Sequence, residues 1–402
     1  MQPFLEDVTV LDMTQLLPGQ MATMLLADLG ADVVKIERPG VGDATRDREA
    51  TIGGRSYAFM MRNHSKDSVA LDLKHDAGRQ AFLDLAQDAD VVVEAFRPGV
   101  VDRLGVGYGD VSDVNDDIVY CSITGYGQDG PYADRPGHDM NYIGVGGLLA
   151  LTGDADGEPV FPGYAVADCA SAIYAAFAIS AATAGVAHGT GGEYIDVSMT
   201  DAVASFGIIL APMFFGRGVE PKRENTFLTG AHPGCAAYET ADGSYLSFGA
   251  LEHRFWQSLC KAVGLPDLGE IRFWADDVED ETCERAREVL ADRLESRTAD
   301  EWIDTFDDHD VPVAPVNEYA EMFEDPQLRR REVFQRSTLP DSDEELVYFD
   351  TPLSFDGDRK IEKTPAPRLG ADTATRLQQV GYDLETLVEL EGDGALSLGP
   401  ES

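Results

Sequence analysis

The chain is short of lysine, histidine and cysteine, and each shortage narrows what it can do. Only seven of its 31 basic residues are lysine, against 73 acidic residues, and the formal net charge is −42. Such a chain repels a phosphate backbone, which argues against nucleic acid as a partner. The five cysteines (Cys121, Cys169, Cys235, Cys260 and Cys283) are scattered with no CxxC pair, so neither a disulfide framework nor a zinc knuckle is expected. No HExxH or comparable ligand spacing occurs among the seven histidines, and no metal site is expected. No GxGxxG follows a strand-like run, and "GVGYGD" (105–110) does not open a helix, which argues against a nicotinamide-dinucleotide site. The N-terminus lacks the basic, apolar, small-residue pattern of a leader. The longest apolar stretch, Ser171 to Val186, is rich in Ala and Gly and bounded by charge. It reads as a buried helix rather than a membrane span, and the protein as soluble and cytoplasmic.

What is present points to an α/β protein. The chain is 44% hydrophobic over 402 residues, enough for a large core with a second, smaller one. The acid is spread along the whole chain rather than gathered in one patch, which suits a surface adapted to a very salty cytoplasm. Over the first 125 residues β-like runs (8–14, 31–37, 68–74, 89–96, 117–125) alternate with helical spacing (21–30, 76–89), the pattern of a parallel, doubly wound sheet. Two apolar helices dominate 137–187, and a turn, a strand and a helix follow over 189–206. The pattern predicts a large domain over 1–200, a linker over 201–229, a small domain over 230–325, and a return of the chain to the large domain over 326–402. The small domain should contain a strand at 243–250, a helix over 251–263 and acidic helices around 276–308. The tail should hold strand signals at 345–355 and a helix near 372–380.

Parallel sheets bind ligands beyond the carboxyl ends of their strands. Arg38, Lys66, Arg97 and Arg103 are expected near such ends, and basic groups there suit a phosphate-bearing ligand. His138 and Asp139 stand side by side in "PGHDMNY" just before one helix, and Asp168 in "YAVADCAS" where the next helix begins. Alone, Asp168 reads as a helix cap and His138 as a histidine bonded to a loop carbonyl.

Taken together, "VLDMTQLLPGQMATMLLADLGADVVKIERPG", "NHSKDSVALDLK", "VEAFRPGVVDRLG", "GYGQDGPYADRPGHD", "GTGGEYIDVSMTDA" and the tail "PAPRLGADT" resemble the family III CoA transferases along nearly the whole chain. Within that family "GHDMNY" and "FGALEHRFW" resemble the α-methylacyl-CoA racemase branch. The resemblance implies a large Rossmann-like parallel-sheet domain split in sequence around a smaller α+β domain, in an interlocked homodimer. It implies an acyl-CoA substrate, no permanently bound cofactor, and coenzyme A entering as part of the substrate. Carried over motif by motif, it implies His138 and Asp168 as an acid/base pair and Asp139 and Glu252 as the acids that hold and tune them. Arg38, Lys66, Arg97 and Arg103 become contacts of the CoA phosphates.

The chemistry implied is epimerisation at the α-carbon of a 2-methylacyl-CoA. One group removes the α-proton, and its counterpart returns one to the other face. The enolate oxygen needs preorganised donors, which the N-terminus of the helix after Asp168 is expected to supply. The alternative is CoA transfer between carboxylic acids, with Asp168 as a covalent nucleophile forming first an anhydride and then an aspartyl-CoA thioester.

Overall fold

Short runs of β-branched residues build the centre of the molecule. A computed structural model describes residues 3–48, 50–154, 156–223, 225–273, 280–339, 344–355 and 363–400. Among them, β1 (Thr9–Asp12), β2 (Asp32–Glu37), β3 (Lys66–Leu71), β4 (Val91–Glu94), β5 (Val119–Thr124), β6 (Glu193–Ser198) and β7 (Leu396–Ser397) form one sheet. Every residue of β4 and β5 is buried, as expected of parallel strands covered on both faces. The spatial order is 7-3-2-1-4-5-6, with β7 antiparallel to β3 and every other pairing parallel. The chain therefore winds one way from β1 to β3 and the other way from β4 to β6. The reversal falls between β1 and β4, where Leu11 pairs with Val34 on one side and Val92 on the other.

The chain divides into two units. The first comprises 1–146, 163–206 and 327–402, and the second 147–162 and 207–326. In the first unit Leu11, Val34, Val69 and Val92 pack with Phe82 and Leu85 of the helix Asp76–Ala86. Leu377, Leu387 and Leu396 from the tail complete that core, which is how the end of the chain belongs to the same body as its beginning. The helices α1 (Leu16–Ala27) and α3 (Val166–Ala187) pack on each other, and the short α2 (Asp139–Val145) packs on α3. Helix α3 is long and apolar enough by composition to cross a membrane. It is not the wholly buried helix expected from its sequence. One face packs inside, while Ile173 and Phe177 on another are 56% and 70% exposed.

In the second unit an antiparallel sheet of Val313–Pro315, Tyr245–Phe248 and Ala237–Glu239 carries the helices His253–Ala262, Asp280–Leu294 and Ala299–Asp307. Its core gathers Phe248, Trp256, Leu290 and Trp302, and the Trp302 indole donates to Leu294 O at 2.8 Å. The expected acidic helices are present from Asp280 onward, and 276–279 lie outside the described residues. The stretch expected as a linker, 201–229, is largely structured: a helix runs to Ser205, and helical turns occupy Phe206–Ile209, Pro212–Gly216 and Phe227–Thr229. Its mixture of Gly, Pro and charge concealed those turns. The tail strand Glu345–Phe349 pairs with Phe334–Thr338, and the tail helix spans Thr373–Gln379.

A buried ionic cluster supports the turn after β1. Lys35 Nζ lies 3.0 Å from Asp43 Oδ2 and donates to Thr14 O at 2.7 Å. Lys66 Nζ donates to Asp12 Oδ2 at 3.0 Å, Thr23 Oγ1 at 2.8 Å and Asn63 Oδ1 at 2.9 Å. The side chains of Asp12, Lys35, Asp43 and Lys66 are all fully buried. Breaking one partner of such a cluster strands a buried charge, which explains why its members satisfy one another so completely. This placement corrects one expectation. Lys66 opens β3 at its amino end, and its ammonium is spent inside the protein rather than offered to a phosphate.

Candidate active site

The reversal of winding between β1 and β4 opens a crevice beyond the carboxyl ends of the strands. A cavity of about 440 Å³ occupies it. Gln15 enters from the turn after β1, Leu16 and Pro18 from the first turn of α1, Ala95 to Pro98 from the turn after β4, and Gly125 from the end of β5. Ala133, Arg135 to His138, Asn141, Tyr142, Asp168 and Met199 complete the wall.

The wall is held from below. Thr14 donates from both its amide (2.8 Å) and its hydroxyl (2.6 Å) to Asp12 Oδ1, so the buried cluster anchors the residue just before Gln15. Leu16 then adopts φ 64°, a left-handed conformation that a leucine occupies only when its surroundings impose it. On the next wall Glu94 Oε2 accepts the Phe96 amide at 2.7 Å, which shapes the turn that carries Arg97.

His138, Asp139 and Asp168 meet here. His138 is the N-cap of α2, its amide bonded to Asn141 Oδ1 at 3.0 Å, and its imidazole is exposed at the cavity. Asp139 reaches across to α3. Its Oδ1 accepts the amides of Ala167 at 2.6 Å and Asp168 at 3.1 Å. Asp139 thus supplies the cap that Ala165, at the N-cap position, has no side-chain acceptor to provide.

Asp168 is therefore not the cap that its position suggested. It sits in the first turn of α3, and its carboxylate makes no hydrogen bond to the described residues. Burial pushes that carboxyl up to about 6, Asp139 adds to the rise, and His138 and Arg62 oppose it. A raised, unpartnered carboxylate facing a cavity is a candidate nucleophile or base. Three of the oxyanion donors expected at this helix end are already occupied. The amides of Ala167 and Asp168 are taken by Asp139, and that of Cys169 by Ala165 O at 3.0 Å.

The other predicted residues separate. Arg97 lines the cavity; Arg38, just past β2, and Arg103, on the helix Val100–Leu104, are exposed and do not line it. Glu252 belongs to the second unit, where it precedes the helix His253–Ala262 with an exposed side chain and no capping bond. Sequence reasoning passed over Gln15, Leu16, Arg135 and Tyr142. Tyr142 stands three residues after Asp139, on the same helical face, a spacing that could have singled it out. Arg135 stacks on Tyr132 with its guanidinium 3.7 Å from the ring centre. Neither Arg97 nor Arg135 forms an ion pair among the described residues, in a chain with 73 acids.

Sheet, crevice, carboxylate and unpaired arginines come together at one cavity beyond the strand ends. The sequence matches the model of CoA-transferase family III over residues 5–373. It is 33% identical over 396 residues to a human succinyl-CoA:glutarate CoA-transferase, covering 98% of this chain and 90% of the relative. It is also 33% identical over 415 residues to a succinyl-CoA:mesaconate CoA-transferase of Haloarcula hispanica, covering 95% of this chain and 98% of the relative. The crystal structure of a CaiB/BaiF family protein from Brucella suis superposes with a TM-score of 0.79 at 30% identity, covering 93% of this chain and 98% of that one. The chain belongs to CoA-transferase family III. Enzymes of this family act on CoA thioesters without a bound cofactor. These relatives are named for CoA transfer, and the racemase-like branch expected from "GHDMNY" finds no support among them.

Proposed function

We propose that the protein transfers CoA between dicarboxylic acids, with Asp168 as the covalent nucleophile. The observation that carries this reading is the Asp168 carboxylate itself: unpartnered, partly buried at the cavity wall, and relieved of helix capping by Asp139. An Asp168 oxygen attacks the thioester carbonyl carbon, the C–S bond breaks, and CoA leaves as a thiolate with a mixed anhydride on Asp168. The thiolate attacks the Asp168 carbonyl, giving an aspartyl-CoA thioester and releasing the donor acid as its carboxylate. The acceptor carboxylate then attacks that thioester, and the returning thiolate takes the new acyl group and frees Asp168. Arg97 and Arg135 supply the charge that a second carboxylate on the acyl group, or a CoA phosphate, would seek. The dicarboxylic class also rests on the names of the relatives.

Epimerisation remains as a second reading on one observation, that His138 and Asp168 face one cavity. Incubation with succinyl-CoA and either glutarate or mesaconate, in deuterated buffer at high salt, separates the two. The transferase moves CoA to the acceptor and leaves the α-carbon undeuterated. Deuterium entering a 2-methylacyl-CoA with no acceptor acid present would install the epimerase instead.

The assembly proposed is an interlocked homodimer, with a second copy covering apolar surface that one chain leaves open. Its support is the outward face of α3, where Ile173, Tyr174 and Phe177 stand exposed on an otherwise strongly acidic protein.

A further inference from the structure

Attack on a thioester carbonyl puts negative charge on its oxygen, and a site that accelerates this step places a donor there. The amides of Ala167, Asp168 and Cys169 in the first turn of α3 are occupied and do not serve as that donor. Tyr142 lines the cavity and is 7% exposed, and its hydroxyl has no hydrogen-bond partner among the described residues. The hydroxyl keeps accessible surface at the cavity, so its hydrogen is available to whatever occupies that space. The backbone is shaped around this ring. A Cβ on Gly125 would stand 2.4 Å from Tyr142 Cε1 and 2.6 Å from its hydroxyl oxygen, and one on Gly137 would stand 2.6 Å from Cε1. Gly125 is itself pinned, its carbonyl accepting the Thr200 hydroxyl at 2.7 Å and the Thr200 amide at 3.1 Å. Tyr142 lies one turn after Asp139, which grips the amide of Asp168, so ring and nucleophile are referred to the same short helix.

We propose that the Tyr142 hydroxyl is a catalytic residue of this pocket, donating a hydrogen bond to the thioester carbonyl oxygen as Asp168 attacks. The role rests on the transferase reading above. No proton is transferred. The phenol shares its hydrogen with the oxyanion while the Asp168 C–O bond forms, and is released when the C–S bond breaks. Burial pushes this phenol up to about 12, with Tyr126, Asp168 and Asp139 adding to the rise and Arg97 opposing it, so it stays a donor through neutral pH.

The test is Tyr142→Phe in the full-length protein, following both steady-state transfer and formation of the acyl adduct on Asp168. Phenylalanine keeps the ring between the two glycines, so the melting temperature should hold. Loss of one oxyanion donor should slow kcat and adduct formation by about 10²-fold with little change in KM. Wild-type protein that forms no adduct would overturn the transferase reading and this role with it. Adduct forming equally fast in wild type and variant would overturn the role of Tyr142 alone. A difluorotyrosine at position 142, whose phenol ionises at lower pH, gives a second readout. Its activity should fall on the alkaline side where wild type stays level, and superimposable profiles would contradict the proposal.

Discussion

Asp168→Asn should abolish turnover, lowering kcat by on the order of 10⁴-fold or more, as removal of a covalent nucleophile does. The fold should survive. The Asp168 carboxylate makes no hydrogen bond to the described residues, and the Ala167 and Asp168 amides at the α3 terminus are held by Asp139. An amide at position 168 would fill the same space without a negative oxygen to attack the thioester. The check is a transfer assay beside a thermal melt, with an unchanged melting temperature and no product above background. His138→Ala should be much milder, because the imidazole faces the cavity but the transfer steps assign it no bond to make. Equal collapse in both variants would point to a pair of bases and so to epimerisation.

The second large effect concerns Asp139, and its sign follows from what the carboxylate does. Asp168 must be ionised to attack, so activity should fall as pH drops through about 6. Asp139 is one cause of that raised value, after burial. Asp139→Asn keeps an oxygen to accept the Ala167 and Asp168 amides but removes the neighbouring negative charge. The acid limb of kcat/KM should move to lower pH. Asp139→Ala also removes the acceptor, which costs about 1 kcal/mol of stability as a lost helix cap. A nucleophile no longer held by its own amide is misplaced, and a displacement of about 1 Å costs about 10²-fold in rate. Identical pH profiles for wild type and Asp139→Asn would show that Asp139 does not tune Asp168.

Much of this arrangement was legible from residue patterns. Alternating valine-rich runs and helical spacing indicate a parallel sheet, because strands buried on both faces have to be continuously apolar. The position of the crevice depends on strand order, which comes from contacts between distant segments such as Leu11 with Val92. His138, Asp139 and Asp168 stand out from spacing and resemblance. Their division of labour does not, because a side chain can cap a helix from another segment. Asp139 caps α3 from 28 positions away, which leaves Asp168 unencumbered. Lys66 misled for a related reason. It precedes even the expected strand at 68–74, so it stands at the amino end, away from the ligand-facing edge, and its ammonium joins a buried cluster with Asp12. Tyr142 was overlooked because an aromatic residue among apolar neighbours reads as core until the unpartnered hydroxyl is seen beside a cavity.

The central claim is that Asp168 becomes covalently acylated. The most direct measurement is to mix wild-type protein with succinyl-CoA, quench with hydroxylamine or borohydride within a turnover, and weigh the peptide that contains Asp168. The account predicts a mass change confined to that residue, formed at a rate that supports turnover and absent in Asp168→Asn. An unmodified Asp168 peptide in protein that is actively moving CoA to an acceptor would contradict it.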